Sequence, residues 1–363
     1  MSCKKTLFFI LFSLSPSLLD AEEDAVRPFY MGFTPFPYDI SQEAVDDAYR
    51  FVRENGDIIA HHLDSGVPWT ESLDGAPYSF DLERNWDRRV QASAGRKIFV
   101  SVTPMNGDRK GMALYWGEKE NMPLPETFQN KPFDDPLVKK AYLNYCRRAI
   151  KRLKPDYLAI GIEVNELFHN APAQWAPFLD LYRSTYTELK KENPALPIFA
   201  TFTLHNLRNE GWSDVKAQQE EIKAFLQYCD VVGISYYPFM IGNLDHANAD
   251  LDWLRSFTDK PIAIGETGYP GETIHLKTFH LEIPGSPDSQ AKYYQTLFQT
   301  AQRDRYLFIV SFLSRDYDAL WDKIKASSPE AFVVWKDCGL LDEKGTARPV
   351  LSIWRRYFSA AKK

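Results

Sequence analysis

The sequence predicts an α/β protein folded as a single (β/α)8 TIM barrel. Three observations predict it. Eight short runs rich in Val, Ile and Phe recur along the 363 residues, each nearly continuous in hydrophobicity, as parallel strands buried on both faces are. Amphipathic helical runs fall between them. No Gly/Ser linker divides the chain, and no glycine-rich phosphate loop follows the first strand, which counts against a doubly wound open sheet.

The strand runs are FYMGFTPF (29–36), DIIAHHLD (57–64), KIFVSVTP (97–104), YLAIGIEVNEL (157–167), PIFATFTLH (197–205), VVGISYYPF (231–239), PIAIGETGYP (261–270) and LFIVSFLS (307–314). The first helical run, SQEAVDDAYRFVREN, opens on a Ser cap with Glu behind it and shows apolar spacing of three and four. DPLVKKAYLNYCRRAIKRLK starts on Asp-Pro and ends basic, in accord with the helix dipole. QWAPFLDLYRSTYTELKKE, AQQEEIKAFLQY, ADLDWLRSFT and SQAKYYQTLFQTAQRDR follow the same logic. Two connections are long: MNGDRKGMALYWGEKENMPLPETFQNKPFD after the third strand and GETIHLKTFHLEIPGSPDSQ after the seventh. In a barrel, such loops build the face that carries function.

Composition narrows the function classes. The net charge is −6 and there is no basic patch, which excludes a nucleic-acid partner. Aromatics make up 14% of the chain, with 9 Trp and 19 Tyr. That suits a large core and also a sugar cleft, because Trp and Tyr faces stack on the C–H face of a pyranose. Residues 1–21 have the form of a signal peptide: Lys4 and Lys5, an apolar stretch from Thr6 to Leu19, and Ala21 before the cleavage point. No apolar segment is long enough to span a membrane. One domain over 22–363, secreted or periplasmic and monomeric, is expected. Cys146, Cys229 and Cys338 remain after Cys3 is removed with the leader, and their wide spacing indicates neither a disulfide framework nor a metal knuckle.

The chemistry sits at the strand ends. The fourth run ends in GIEVNEL, with Asn165 before Glu166, and the seventh places Glu266 after an apolar strand. In a barrel both ends open on one face, so two carboxyls can meet across the mouth. Two carboxyls about 5–5.5 Å apart form the machinery of a retaining glycosidase, one attacking the anomeric carbon and the other protonating the leaving oxygen. Their proximity also drives their pKa values apart.

With Asn-Glu ending the fourth strand and Glu ending the seventh, the chain resembles the clan A glycoside hydrolases, retaining (β/α)8 enzymes. VVGISYYPF, ETGYP and the ending CGLLDEKGTARPVLSIW make it most similar to the family 53 endo-β-1,4-galactanases. The resemblance implies that Glu166 is the acid/base, that Glu266 is the nucleophile, and that Asn165 holds the sugar 2-hydroxyl. Tyr237, which shares a strand face with Ser235, is the candidate hydrogen-bond donor to Glu266. Two features depart from the clan. The second strand often carries an Arg there, and here it reads AHHLDSGVPW; the Trp often found ending the eighth strand is replaced by SFLSRDYDALW, with Arg315 and Asp316.

The resulting expectation is a retaining β-glycosidase acting on an oligo- or polysaccharide, without a cofactor. Its sugar-binding residues are Asn165, Tyr237, His62, Asp64, Trp69, Trp116 and His205. Trp69, Trp116 and Trp335 lie in mouth loops as stacking platforms or loop anchors, while Trp86, Trp175 and Trp253 sit in helical runs and read as core. The alternatives are a non-catalytic carbohydrate-binding barrel and a metal-dependent barrel hydrolase. Against the metal reading, adjacent His61 and His62 on a regular strand point to opposite sides and cannot both chelate. His62, which shares parity with Asp64, is the one expected in the cleft.

Overall fold

A computed structural model describes residues 26–241 and 246–363. The expected leader and Cys3 lie outside the described residues. Eight strands form the barrel: β1 Tyr30–Phe33, β2 Ile58–Leu63, β3 Lys97–Val102, β4 Tyr157–Ala159, β5 in two pieces (Ile198–Phe199 and Thr201–Thr203), β6 Val232–Tyr236, β7 Ile262–Thr267 and β8 Phe308–Ser311. Neighbours pair in parallel around the ring. Strand β5 closes it, its first piece bonding β4 and its second bonding β6, with the switch at Ala200.

The barrel axis is filled, as in other barrels of this size. Phe99 stacks on Phe199 at 5.7 Å and meets Phe308 at 5.0 Å, and Tyr157 reaches Phe308 at 4.9 Å. This aromatic plug needs Gly233, where a Cβ would lie 2.7 Å from the Phe199 ring and 2.9 Å from the Ala200 carbonyl oxygen. Above the plug, His62, Ser101, Thr201, Ser235 and Glu266 line a small cavity that forms the floor of the mouth.

The helices form where their caps and stripes place them. Ser41 accepts from the Ala44 amide at the head of helix Gln42–Asn55. Asp135 accepts from the Leu137 amide at the head of Pro136–Leu153, and Lys154 ends that helix with φ 48°. Helices Phe80–Ala92 and Pro349–Ser359 follow β2 and β8. The last of these locks the ring: Trp354 lies 4.3 Å from Phe33, and its indole N–H donates to the Asn55 carbonyl. Trp86 and Trp175 are buried, as expected of core residues. Trp253 is half-buried, stacked on Phe257 with Arg208 over its face. Cys146, Cys229 and Cys338 are buried free thiols. Among the described residues, no helix is long and apolar enough to cross a membrane.

Two strand ends differ from expectation. The fourth run stops as a strand at Ala159, and Asn165–Asn170 form a short helix. The fifth gives way to helix Leu204–Leu207, which carries His205. Both runs are apolar past the point where pairing stops, because the turns that follow are themselves buried.

Candidate active site

Glu266 is aimed into the mouth by an irregularity in β7. Ile234 of β6 pairs with Ile264, but the next residue, Ser235, pairs with Glu266, so Gly265 is an extra residue in β7. The pairing of β7 with β8 shifts at the same place, between Ile309 and Ser311. Such bulges redirect the side chain that follows. The Tyr237 hydroxyl donates to Glu266 Oε1, and His62 Nδ1 lies 3.3 Å from Oε2. Only 12% of the Glu266 side chain is exposed. Adjacent His61 points the other way, out of the barrel, where Nε2 meets Ser93 Oγ at 2.7 Å.

The carboxyl whose charge acts on Glu266 is Glu163, three positions before the expected Glu166. Beyond Ala159 the chain keeps bonding β5 irregularly: the Thr201 amide donates to the Gly161 carbonyl and the Val164 amide to the Thr201 carbonyl. Between them Glu163 adopts φ 54°, a region costly for a residue with a side chain. Its amide donates to Thr201 Oγ1 at 2.9 Å. The turn sends Glu163 toward Arg109, whose Nη2 is 3.2 Å from Glu163 Oε2. Arg109 also holds both oxygens of Asp64, at 3.1 and 2.8 Å. The second strand carries no Arg, and the guanidinium at this mouth comes from the long loop after β3. Asn106 shapes that loop by accepting the Lys110 and Gly111 amides.

Glu166 and Asn165, expected as the acid/base and the contact to the sugar 2-hydroxyl, are held by other partners. Glu166 lies in the first turn of helix Asn165–Asn170, and its carboxylate takes the Thr203 hydroxyl and the Asn206 amide. Asn165 is wholly buried. Its Nδ2 donates to Thr203 and Gln218, and its Oδ1 accepts the Thr203 amide, so nothing is left for a sugar hydroxyl.

Three other expected sugar contacts sit elsewhere. Trp69 is fully buried, donates to the Ala113 carbonyl and lies against Phe128 and Tyr142. Trp116 is buried at the outer flank, beside Asp81, Arg84 and Arg88 of helix Phe80–Ala92. Both anchor loops. His205 is buried behind Tyr237, ring centroids 6.3 Å apart, and burial drops its pKa to about 3, which keeps it neutral. Trp335 occupies the mouth instead. It comes from the 3-10 turn Glu330–Trp335 and lies 4.4 Å from Tyr237 and 5.3 Å from Phe312.

The electrostatics follow from burial around a mixed cluster. Burial pushes the Glu266 carboxyl up; His62 pulls it down, and the Glu163 charge pushes it up again. Burial also raises Glu163, with Arg109 opposing and Glu166 reinforcing the rise. The two titrate as a pair, with the net direction upward, so one of them keeps a proton where isolated carboxyls have lost theirs. Burial would raise Asp64, but Arg109 and His62 outweigh it and hold its carboxyl at about 2. His62 is raised because Asp64 and Glu266 overcome its burial.

Two further acidic groups, Glu272–Asp316–Asp337 and Asp316–Asp318–Glu343, bring ligand atoms within 4.8 Å of one another in the loops after β7 and β8. Arg348 pairs with Glu272 and Asp316, Lys336 with Asp318 and Asp337, and Lys344 with Glu343.

Residues 116–305, more than half of the chain, match the model of glycosyl hydrolase family 53. The chain belongs to that family. Glu163, Tyr237 and Glu266 lie inside the matched segment; His62, Asp64, Arg109 and Trp335 lie outside it. Over 210 residues the family 53 chain is 24% identical to an uncharacterized protein in the bgaB 5' region of Niallia circulans, covering 51% of this chain and 56% of that protein. Its fold is similar to that of the Ignisphaera aggregans GH53 catalytic domain (TM-score 0.57, 20% identity, 87% and 88% of the two chains). It is also similar to a fungal β-1,4-galactanase (TM-score 0.56, 16% identity, 85% and 90%). An exo-β-1,4-mannosidase from Opitutaceae bacterium strain TAV5 shares the barrel at TM-score 0.62 and 13% identity, over 92% and 60% of the chains.

Proposed function

We propose that this family 53 protein is a retaining β-glycosidase, with Glu266 as the nucleophile and Glu163 as the acid/base. The observation that carries the reading is the chain of contacts that joins the two carboxyls at one barrel mouth: Glu266 to His62 at 3.3 Å, His62 to Asp64 at 3.7 Å, and Arg109 to both Asp64 and Glu163 at 2.8 and 3.2 Å. Glu266 is the ionised member: Tyr237 donates to it, and the His62 ring stands 3.3 Å away. Glu163 is the protonated member. The stronger of the two cations acting on it, Arg109, is divided between it and Asp64, with the two-oxygen contact on Asp64.

In the first step a Glu266 oxygen bonds to the anomeric carbon while the bond from that carbon to the glycosidic oxygen breaks. Glu163 gives its proton to that oxygen. In the second step Glu163, now a base, takes a proton from water as the water displaces Glu266 from the same carbon. Two inversions leave the configuration retained. The substrate class supported by the family is a β-linked glycan, and β-1,4-galactan is the first polymer to assay because solved fungal relatives are β-1,4-galactanases.

The test is hydrolysis of β-1,4-galactan and a panel of aryl β-glycosides, with the anomer of the first-formed product read by NMR. A β-anomer is expected. Glu266→Ala should abolish turnover, and azide added to that variant should give the α-configured glycosyl azide. An inverted first product, or a Glu266→Ala protein as active as the wild type, would sink the proposal.

A further inference from the structure

Asp64 stands in the mouth but neither attacks nor donates a proton. It follows the last residue of β2 and shares the parity of His62, so the two reach the same side. Its carboxylate meets both cations of the mouth. Arg109 holds its two oxygens at 3.1 and 2.8 Å, and His62 Nε2 stands 3.7 Å from Oδ2. Each cation has a second carboxyl on its other side. Glu163 Oε2 lies 3.2 Å from Arg109 Nη2, and Glu266 Oε2 lies 3.3 Å from His62 Nδ1. Acids and cations therefore alternate along one line, Glu266, His62, Asp64, Arg109, Glu163, with Asp64 at its centre.

The ends of this line exchange charge in the reaction. When Glu266 bonds to the anomeric carbon, its carboxylate becomes a neutral ester. In the same step Glu163 gives its proton to the leaving oxygen and becomes a carboxylate. One negative charge leaves the His62 end and one appears at the Arg109 end, so the net charge of the line is unchanged. Asp64 stays ionised throughout: burial would raise its carboxyl, but Arg109 and His62 hold it at about 2. A neutral imidazole carries one N–H and an imidazolium carries two. His62 faces a carboxylate with each ring nitrogen, so the charged form satisfies both.

The other groups around the line are accounted for. Tyr237 donates to Glu266, and the Ser101 hydroxyl lies 3.5 Å from His62 Nδ1. The Glu166 charge acts on Glu163. Burial, and to a lesser degree the Asp64 charge, push up the phenols of Tyr142 and Tyr145 in helix Pro136–Leu153, which stay neutral. Tyr317, near Glu266, is kept neutral in the same way.

We propose that Asp64 is a positioning residue that divides the two cations between the two working acids, yielding Arg109 to Glu163 when that acid is ionised and taking up His62 when Glu266 is esterified. The inference rests on the glycosidase reading above. It assigns Asp64 a part in the timing of the proton transfer, in place of the sugar contact expected from the sequence.

The experiment is kcat/KM against pH for the full-length wild type and Asp64→Asn, which keeps the side-chain shape and removes the charge. Arg109 then falls wholly to Glu163, which ionises earlier, so the alkaline limb should move down. His62 loses the carboxylate that keeps it charged, Glu266 loses its cation, and the acid limb should move up. Each limb should shift by about one pH unit, the low end of what one charge within 4–6 Å exerts. A charge acting only through space has a different signature. Its removal would lower both carboxyls and move both limbs down together. That result, or either limb staying in place, would overturn the proposal. In a His62→Gln background, Asp64→Asn should leave the acid limb where it stands, because its route to Glu266 has gone; a further shift there would also overturn it.

A second measurement needs neither turnover nor a folded Asp64→Asn. Glu266→Gln mimics the neutral end of the line. The Glu163 carboxyl, followed by carbon-13 NMR, should titrate at lower pH in Glu266→Gln than in the wild type. Adding His62→Gln should shrink that drop, and an undiminished drop overturns the line of contacts. Absence of wild-type hydrolysis on every glycoside removes the glycosidase reading alone, since the carbon-13 titration judges the line by itself.

Discussion

Glu163→Gln and Glu166→Gln, made separately, decide which carboxyl delivers the proton. A positioned general acid contributes about 10²–10⁴ in rate, or roughly 3–5 kcal/mol of barrier. Glu163→Gln keeps the side-chain shape and leaves Arg109 bound to both oxygens of Asp64. Its stability should therefore change little, while kcat/KM on an alkyl or sugar leaving group falls by about 10²–10⁴. An activated dinitrophenyl leaving group needs little protonation, so with it the first step should be nearly unaffected. Glu166→Gln disturbs a different network. The Thr203 hydroxyl and Asn206 amide lose a charged acceptor. Leaving buried donors poorly matched costs about 1–3 kcal/mol; Glu166 is half-buried, so the low end applies. The expected result is a melting point lower by a few degrees and a rate loss below about tenfold, insensitive to the leaving group. The assay is kcat/KM across aryl and alkyl β-glycosides of graded leaving-group pKa, with thermal melts alongside. A steep leaving-group dependence in Glu166→Gln, and a flat one in Glu163→Gln, would refute the assignment.

Three more outcomes are expected. Asp64 has a folded pKa depressed to about 2 against about 3.9 unfolded, so its charge contributes about 2.6 kcal/mol that is present above about pH 4 and lost as pH falls toward 2; the melting-point gap between wild type and Asp64→Asn should be widest above about pH 5 and close toward pH 2. Arg109→Leu removes a cation that lowers the Glu163 pKa, so Glu163 should hold its proton to higher pH and the alkaline limb of kcat/KM should move up; a limb that stays put, or moves down, would take the acid role from Glu163. Gly233→Ala places a methyl 2.7 Å from the Phe199 ring beneath the mouth, and overpacking of this kind costs about 1–3 kcal/mol, read by thermal denaturation; an unchanged melting point would mean the aromatic plug is loosely packed.

The eight strands were legible because parallel strands buried on both faces are written as nearly continuous apolar runs. The level at which the reading failed is the single residue at a strand end. YLAIGIEVNEL is apolar as far as Ile162, and nothing in its hydrophobicity marks the end of pairing at Ala159. The direction of the carboxyl is set there by one backbone angle at Glu163, not by the pattern. Arg109 escaped notice because its partners are 45 and 54 positions away, and loop closure over such distances leaves no periodic trace. Trp69 and Trp116 were misplaced for a related reason: residues near the mouth in sequence fold back against outer helices. The backbone itself marks the site. Among the described residues, seven without a glycine's freedom hold positive φ. Lys154 and Arg305 end helices, where that conformation is ordinary. Arg109 and Glu163 do not end helices, and they are bonded to each other. Each conformation costs about 1–3 kcal/mol and persists only where the surroundings over-determine it. Thr201 holds the Glu163 amide, while Asp64 and Asn106 hold Arg109. Two strained residues joined by a hydrogen bond at the mouth that holds the Glu266 carboxyl form a device for fixing one acid against another, and a glycosidase needs that of its proton donor.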